Sequence, residues 1–125
     1  MNLILDTSVL IEIERGNKKV VERLNELRNL YPAQPKISFM TYFEFLYGLR
    51  KRNVKNKEMS RGFLNLFEVI HTTSKTADFL VLLKDKYELP LADLFIASQV
   101  MENAGILVTR DKDFGKIKET EKIFV

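Results

Sequence analysis

The stretch Met1-Asn2-Leu3-Ile4-Leu5-Asp6-Thr7-Ser8-Val9-Leu10-Ile11 decides how this chain is read. Asn2–Asp6 is a short apolar run ending on an acid, the pattern of a buried strand with a polar residue at its C-terminal tip. Thr7 or Ser8 then offers a helix cap, and Val9, Leu10 and Ile13 supply an apolar side to the helix that follows. The run has no basic flank and stops at a carboxylate, so it does not read as a signal peptide.

Working outward, the same alternation repeats. Gly16-Asn17 breaks the first helix, and Lys18–Leu30 places Val20, Val21, Leu24, Leu27 and Leu30 at helical spacing. A turn through Tyr31–Pro35 leads to a second strand, Lys36–Phe39, and helices are expected over Thr41–Arg52 and Lys57–Phe67. Glu68–His71 is a third strand, and Thr72-Thr73-Ser74 offers a cap for a helix over Lys75–Tyr87. Pro90 opens a helix that stops at Ala104-Gly105. Ile106–Thr109 is a fourth strand, Arg110–Asp113 a polar turn and Lys122–Val125 a short last strand. Strands alternating with helices predict one α/β domain over residues 1–125. Its expected form is a three-layer α/β/α sandwich around a mostly parallel four- to five-stranded sheet.

Composition removes several chemistries. The chain has 125 residues, no cysteine and one histidine, His71. That excludes a disulfide framework, a thiolate zinc site, a thiol nucleophile and any multi-histidine metal site. His71, alone at a strand end, is expected to be a structural hydrogen-bonder. No stretch approaches the roughly 20 apolar residues of a membrane helix, so the expected location is the cytoplasm. The net charge is +3, unevenly placed. Residues 48–62 hold Arg50, Lys51, Arg52, Lys55, Lys57 and Arg61 against Glu58 alone, a surplus of five. Such a segment serves either as a solvated connection or as a phosphate-facing patch with salt-sensitive affinity for nucleic acid.

Parallel sheets bind ligands beyond the carboxyl ends of their strands. Asp6 ends the first strand, Asp111 lies two residues past the fourth and Asp113 two further on. Glu44 falls one turn into the helix after the second strand, and Asp93 one turn into the helix after Pro90. Singly, each has a structural use: Asp6 as a cap, Asp93 as an acid near a helix N-terminus, Asp111 in a turn. Glu44 is harder to dismiss, because it stands between Phe43 and Phe45. Together the acids converge on one sheet edge, where close carboxylates repel unless a cation intervenes. With no thiol and a single imidazole, that cation is Mg2+ or Mn2+, which prefers oxygen ligands. Phosphodiester hydrolysis is the economical chemistry for such a site. The aromatics around Glu44 (Phe39, Tyr42, Phe43, Phe45, Tyr47) are expected mostly in the core, with one or two on a partner-facing surface.

The chain resembles PIN-domain proteins of the VapC toxin type, from type II toxin–antitoxin systems. The matching stretches are Leu5–Ile11, Glu44 followed by Gly48, Asp93-Leu94-Phe95-Ile96-Ala97, and Leu107-Val108-Thr109-Arg110-Asp111-Lys112-Asp113-Phe114. The resemblance implies a metal-dependent endoribonuclease whose acids are Asp6, Glu44 and Asp93, with Asp111 preferred to Asp113 as the fourth. Thr7 or Ser8, and Thr109, fall on positions that carry a hydroxyl close to the acids and position a water or a carboxylate. It also implies a homodimer and a small VapB-type antitoxin that occludes the site. One or two Mg2+ or Mn2+ ions would be held by these acids, and Arg50, Lys51, Arg52 and Arg110 are candidates to hold flanking RNA phosphates.

Three rivals are weaker. A phosphoacceptor receiver needs an acid at the end of the third strand, where Ile70-His71-Thr72-Thr73 has none. A dinucleotide-binding domain needs a Gly-x-Gly-x-x-Gly turn that the five glycines do not form. A catalytically silent PIN fold that binds RNA or protein is the alternative, and the intact acids argue against it.

Overall fold

The computed structural model describes residues 1–125. Five short strands form the sheet: β1 (Leu3–Leu5), β2 (Lys36–Ser38), β3 (Glu68–Ile70), β4 (Ile106–Thr109) and β5 (Lys122–Phe124). Six helices connect them: α1 (Thr7–Glu14), α2 (Lys18–Leu30), α3 (Phe39–Leu49), α4 (Val54–Leu64), α5 (Ser74–Lys86) and α6 (Leu91–Glu102). A 3-10 helix, Lys112–Lys116, precedes β5.

The sheet order is β3-β2-β1-β4-β5, and every neighbouring pair is parallel. The expected mostly parallel sheet is thus fully parallel with five strands. Its order reverses beside β1, whose neighbours are β2 and β4. Such a reversal opens a crevice at the carboxyl ends of the strands. Here that crevice lies between Asp6 and the residues after Thr109.

Strand periodicity divides the core into two layers. Leu3 and Leu5 of β1, with Ile106 and Val108 of β4, face the side covered by α1–α4. Ile4 and Leu107, one residue out of phase, face Leu83 of α5 and Leu94, Ala97 and Val100 of α6. At roughly 1.5–3 kcal/mol for each fully buried large aliphatic side chain, β1 is held from both faces. Gly105 marks the tightest approach. A Cβ there would lie 2.5 Å from Ile4 Cδ1 and 3.1 Å from the Asn2 carbonyl oxygen.

Three local expectations are corrected. The cap of α1 is Asp6 rather than Thr7 or Ser8, and the Asp6 side chain accepts from Val9 N. Helix α4 starts at Val54 and ends at Leu64, because Asn53 caps it by accepting from Asn56 N. His71, expected as a structural hydrogen-bonder, is exposed at the end of β3 and its side chain makes no hydrogen bond. The aromatic cluster also divides differently. Phe45 is buried, whereas Phe39, Phe43 and Tyr47 are exposed at four-residue spacing along α3.

Candidate active site

Asp6 is 2% exposed at the carboxyl end of β1. Its Oδ1 accepts from Val9 N at 3.0 Å and Ser8 Oγ at 2.7 Å. Its Oδ2 accepts from the Thr109 hydroxyl. A carboxylate offers about four lone-pair directions, so one remains free on Oδ2. Burial is the largest influence on this group and raises its pKa, opposed by the Thr109, Ser8 and Val9 hydrogen bonds.

Thr109 links two acids. While donating to Asp6, its Oγ1 accepts from Asp111 N at 2.9 Å. Asp111 Oδ1 in turn accepts from Asp113 N at 2.9 Å, capping the 3-10 helix. The β4 turn therefore aims both carboxylates toward the first turn of α6. There Asp93, Asp111 and Asp113 each offer an oxygen, all within 4.8 Å of one another. Asp93 is pushed up to about 6, first by burial, then by the charges of Asp111, Glu44, Asp113 and Asp6 in that order. Five acids from four segments thus share one electrostatic neighbourhood. Asp113 is the one with a basic partner, Lys116 Nζ at 3.2 Å.

Glu44 is fixed from the opposite side. Thr7 Oγ1 donates to Glu44 Oε1 at 2.6 Å, with the buried Thr41 hydroxyl 3.3 Å from Thr7 Oγ1. Thr7 therefore positions a carboxylate, and so does Ser8, whose hydroxyl also receives Arg110 N at 3.3 Å.

The sequence profile of the PIN domain family matches residues 3–120. The chain belongs to the PIN domain family. Among solved structures, this PIN domain superposes on VapBC2 from Rickettsia felis, bound to a promoter DNA fragment, with TM-score 0.83 and 22% identity, covering 99% of this chain and 98% of that one. A toxin–antitoxin complex from Klebsiella pneumoniae gives TM-score 0.78 and 27% identity over 95% of each chain. VapBC-1 from nontypeable Haemophilus influenzae gives 0.77 and 21% over 99% and 98%. None of the curated proteins matches the chain.

Of the basic candidates, Arg110 lies beside the acids of the PIN domain, while Arg50 and Arg52 make contacts elsewhere. Arg110 is exposed and lines an open groove of about 450 Å3 with Ser8, Ile11, Glu12, Arg15 and Asp111. Arg50 caps the far end of α3, its guanidinium 3.7 Å from the Tyr47 ring centroid and donating to the Tyr47 carbonyl at 2.7 Å. Six residues of helix separate Arg50 from Glu44, about 9 Å of rise. Arg52 donates to Glu14 at 3.0 Å and to the Ser60 hydroxyl at 2.6 Å, tying α1 to α4. Lys51 is exposed beside it.

Thr41 and Gln99 went unread in the sequence. Gln99 had a signal. It stands in Leu94-Phe95-Ile96-Ala97-Ser98-Gln99-Val100-Met101, apolar on all sides of the helix. A helix of that kind is buried, and a polar side chain inside it needs partners.

Proposed function

We propose that this protein is a Mg2+- or Mn2+-dependent endoribonuclease and the toxin of a VapBC-type toxin–antitoxin pair. The observation that carries the reading is the convergence of Asp93, Asp111 and Asp113 within 4.8 Å, with Asp6 and Glu44 acting on the same charge. Like charges at that separation are costly without a counter-ion. Lys116 relieves only Asp113.

The donor set fits a hard divalent ion. It is all carboxylate oxygen, as Mg2+ and Mn2+ prefer. Asp93, Asp111, the free lone pair of Asp6, and Asp113 would hold one or two ions. A divalent ion bound there would lower the pKa of a water and neutralise charge at a phosphate. The chain's own residues supply the rest. Asp6 is locked by three hydrogen bonds, so its free lone pair has a fixed direction. Glu44, steadied by Thr7, faces the cluster from α3 and orients the attacking water. Asp93, pushed up to about 6 by burial and its acidic neighbours in the metal-free protein, would be held ionised by a bound cation and serve as a ligand. Arg110 is the exposed cation beside Asp111 and holds a flanking phosphate of the RNA strand, with Lys51 and Arg50 more distant contributors.

The partner reading rests on the solved relatives, which are toxin–antitoxin complexes. The exposed Phe39, Phe43 and Tyr47 suit a homodimer or antitoxin contact, since aromatics are enriched at interfaces. No helix is long and apolar enough to cross a membrane.

The test is cleavage of a mixed RNA substrate with Mg2+ or Mn2+, with EDTA as control. Wild-type protein should cut in metal and stop in EDTA, and Asp6→Asn should be inert while still folded. Full activity of Asp6→Asn, with contaminating nuclease excluded, would sink the assignment. RNA binding without turnover would favour the silent PIN-fold module.

A further inference from the structure

Asp93 and Glu44 stand on different helices, α6 and α3, yet they act within one site. A buried amide joins the two helices. Gln99 is 0% exposed. Its Oε1 accepts from Ser38 Oγ at 2.7 Å and from Phe39 N at 2.9 Å, and its Nε2 donates to the Ile70 carbonyl at 3.0 Å. Phe39 N only donates and a carbonyl only accepts, so the amide has a single satisfying orientation. These partners are the carboxyl end of β2, the first residue of α3 and the carboxyl end of β3. They are the only side-chain hydrogen bonds from α6 to that half of the sheet. The other α6 side chains with hydrogen bonds reach their own helix, as Ser98 does to Leu94 O, or α5, as Glu102 does to Thr73 and Thr76.

We infer that Gln99 is a positioning residue for the carboxylate site. It sets the placement of α6 relative to the start of α3, and so the separation of Asp93 from Glu44. Ser38 shares the task, because its hydroxyl donates to Gln99 and accepts from Met40 N at 3.0 Å, capping the helix that carries Glu44. Apolar packing, including Phe95 of α6 against Phe39 of α3, holds the helices together, and the directional hydrogen bonds of Gln99 add a fixed register to it. Shifts of about 1 Å cost on the order of 10²-fold in rate when reacting groups are misplaced. Residues that support metal ligands typically change affinity by about 10–100-fold. The inference rests on the divalent-metal reading of the site.

The test uses Gln99→Met, which fills similar volume without polar atoms, and Gln99→Glu, which keeps the acceptor but sets an oxygen against the Ile70 carbonyl. Ser38→Ala removes one partner and leaves Gln99 intact. Mn2+ alone is titrated by calorimetry into each protein at a temperature where circular dichroism shows it folded. RNA cleavage is then measured as kcat and KM separately. Positioning predicts Mn2+ affinity lowered about 10–100-fold in the Gln99 variants, kcat reduced and KM nearly unchanged, with Ser38→Ala milder. Should Gln99→Met fail to fold, the other two variants carry the comparison. Folded variants with wild-type Mn2+ affinity and kcat, and only a lowered Tm, would overturn the inference. Absence of Mn2+ binding by the wild type would instead overturn the reading beneath it.

Discussion

Replacing Asp93 by Asn should stabilise the metal-free protein at neutral pH. Asp93 moves from an ordinary 3.8 to about 6, because it is partly buried and faces Asp111, Glu44, Asp113 and Asp6. Its folded-state pKa lies above the unfolded value, so the folded protein binds the proton more tightly. The contribution to stability is fully present below about pH 4 and is lost as pH rises through about 6. A shift of that size corresponds to about 3 kcal/mol at most. Asp93 is only partly buried, and solvent screening reduces the figure to roughly 1–2 kcal/mol. For a domain of this size that is roughly 3–8 °C in Tm. The measurement is thermal unfolding of wild type and Asp93→Asn in EDTA at pH 4 and pH 7.5. Any packing effect of the amide is common to both conditions, so the difference between them isolates the charge. The variant should gain on the wild type between the two pH values. Saturating Mn2+ should reverse the order, since an ion at 100 times its Kd stabilises the folded state by about 2.7 kcal/mol. A variant that gains nothing on the wild type between pH 4 and pH 7.5 would refute the electrostatic reasoning.

Other outcomes follow from the same contacts. Asp6→Ala removes the cap of α1 and should cost roughly 1–2 kcal/mol in urea unfolding, whereas Asp6→Asn keeps an acceptor for Val9 N and should cost less. Thr109→Val leaves Asp6 Oδ2 and Asp111 N without their shared hydroxyl; a loss of about 1–3 kcal/mol is expected in the same assay, with weaker Mn2+ binding by calorimetry. Arg110→Gln should lower the salt dependence of RNA binding by about 0.7 in log–log slope, as for one lost phosphate contact. Arg52→Gln should leave that slope unchanged and reduce Tm, because Arg52 is engaged by Glu14 and Ser60.

The strands and helices were legible because their apolar periodicity is strong and each strand ends at a polar break. The five acids were legible for a related reason: each lies just past a strand or one turn into a helix, where a parallel sheet places its ligands. Boundaries were less visible. Helix α4 begins in the polar run Val54-Lys55-Asn56-Lys57, where no apolar spacing marks the first turn and only the Asn53 cap does. Asp6 was legible both as an acid at a strand tip and as a possible cap, but that it serves both uses at once, with φ and ψ of −82° and 175°, was not, because the sequence set the two readings against each other. For the basic segment, a charge count does not tell which contacts each side chain makes. Arg52 spends its guanidinium between two helices, and Arg50 on Tyr47. Whether Asp113 joins Asp93 and Asp111 could not be decided from spacing, because the answer lies in a 3-10 turn that swings both carboxylates to one side.

The central claim is that these carboxylates form a site for a divalent cation. The most direct measurement is calorimetric titration of Mn2+ into the metal-free protein at pH 6 and pH 8, repeated with Asp93→Asn. Saturable binding of one or two ions is predicted, tighter at pH 8 than at pH 6 and accompanied by proton release at pH 6, because Asp93 has a pKa of about 6 and must shed its proton. Asp93→Asn should abolish or greatly weaken it. No saturable binding, or binding that Asp93→Asn leaves unchanged, would contradict the account.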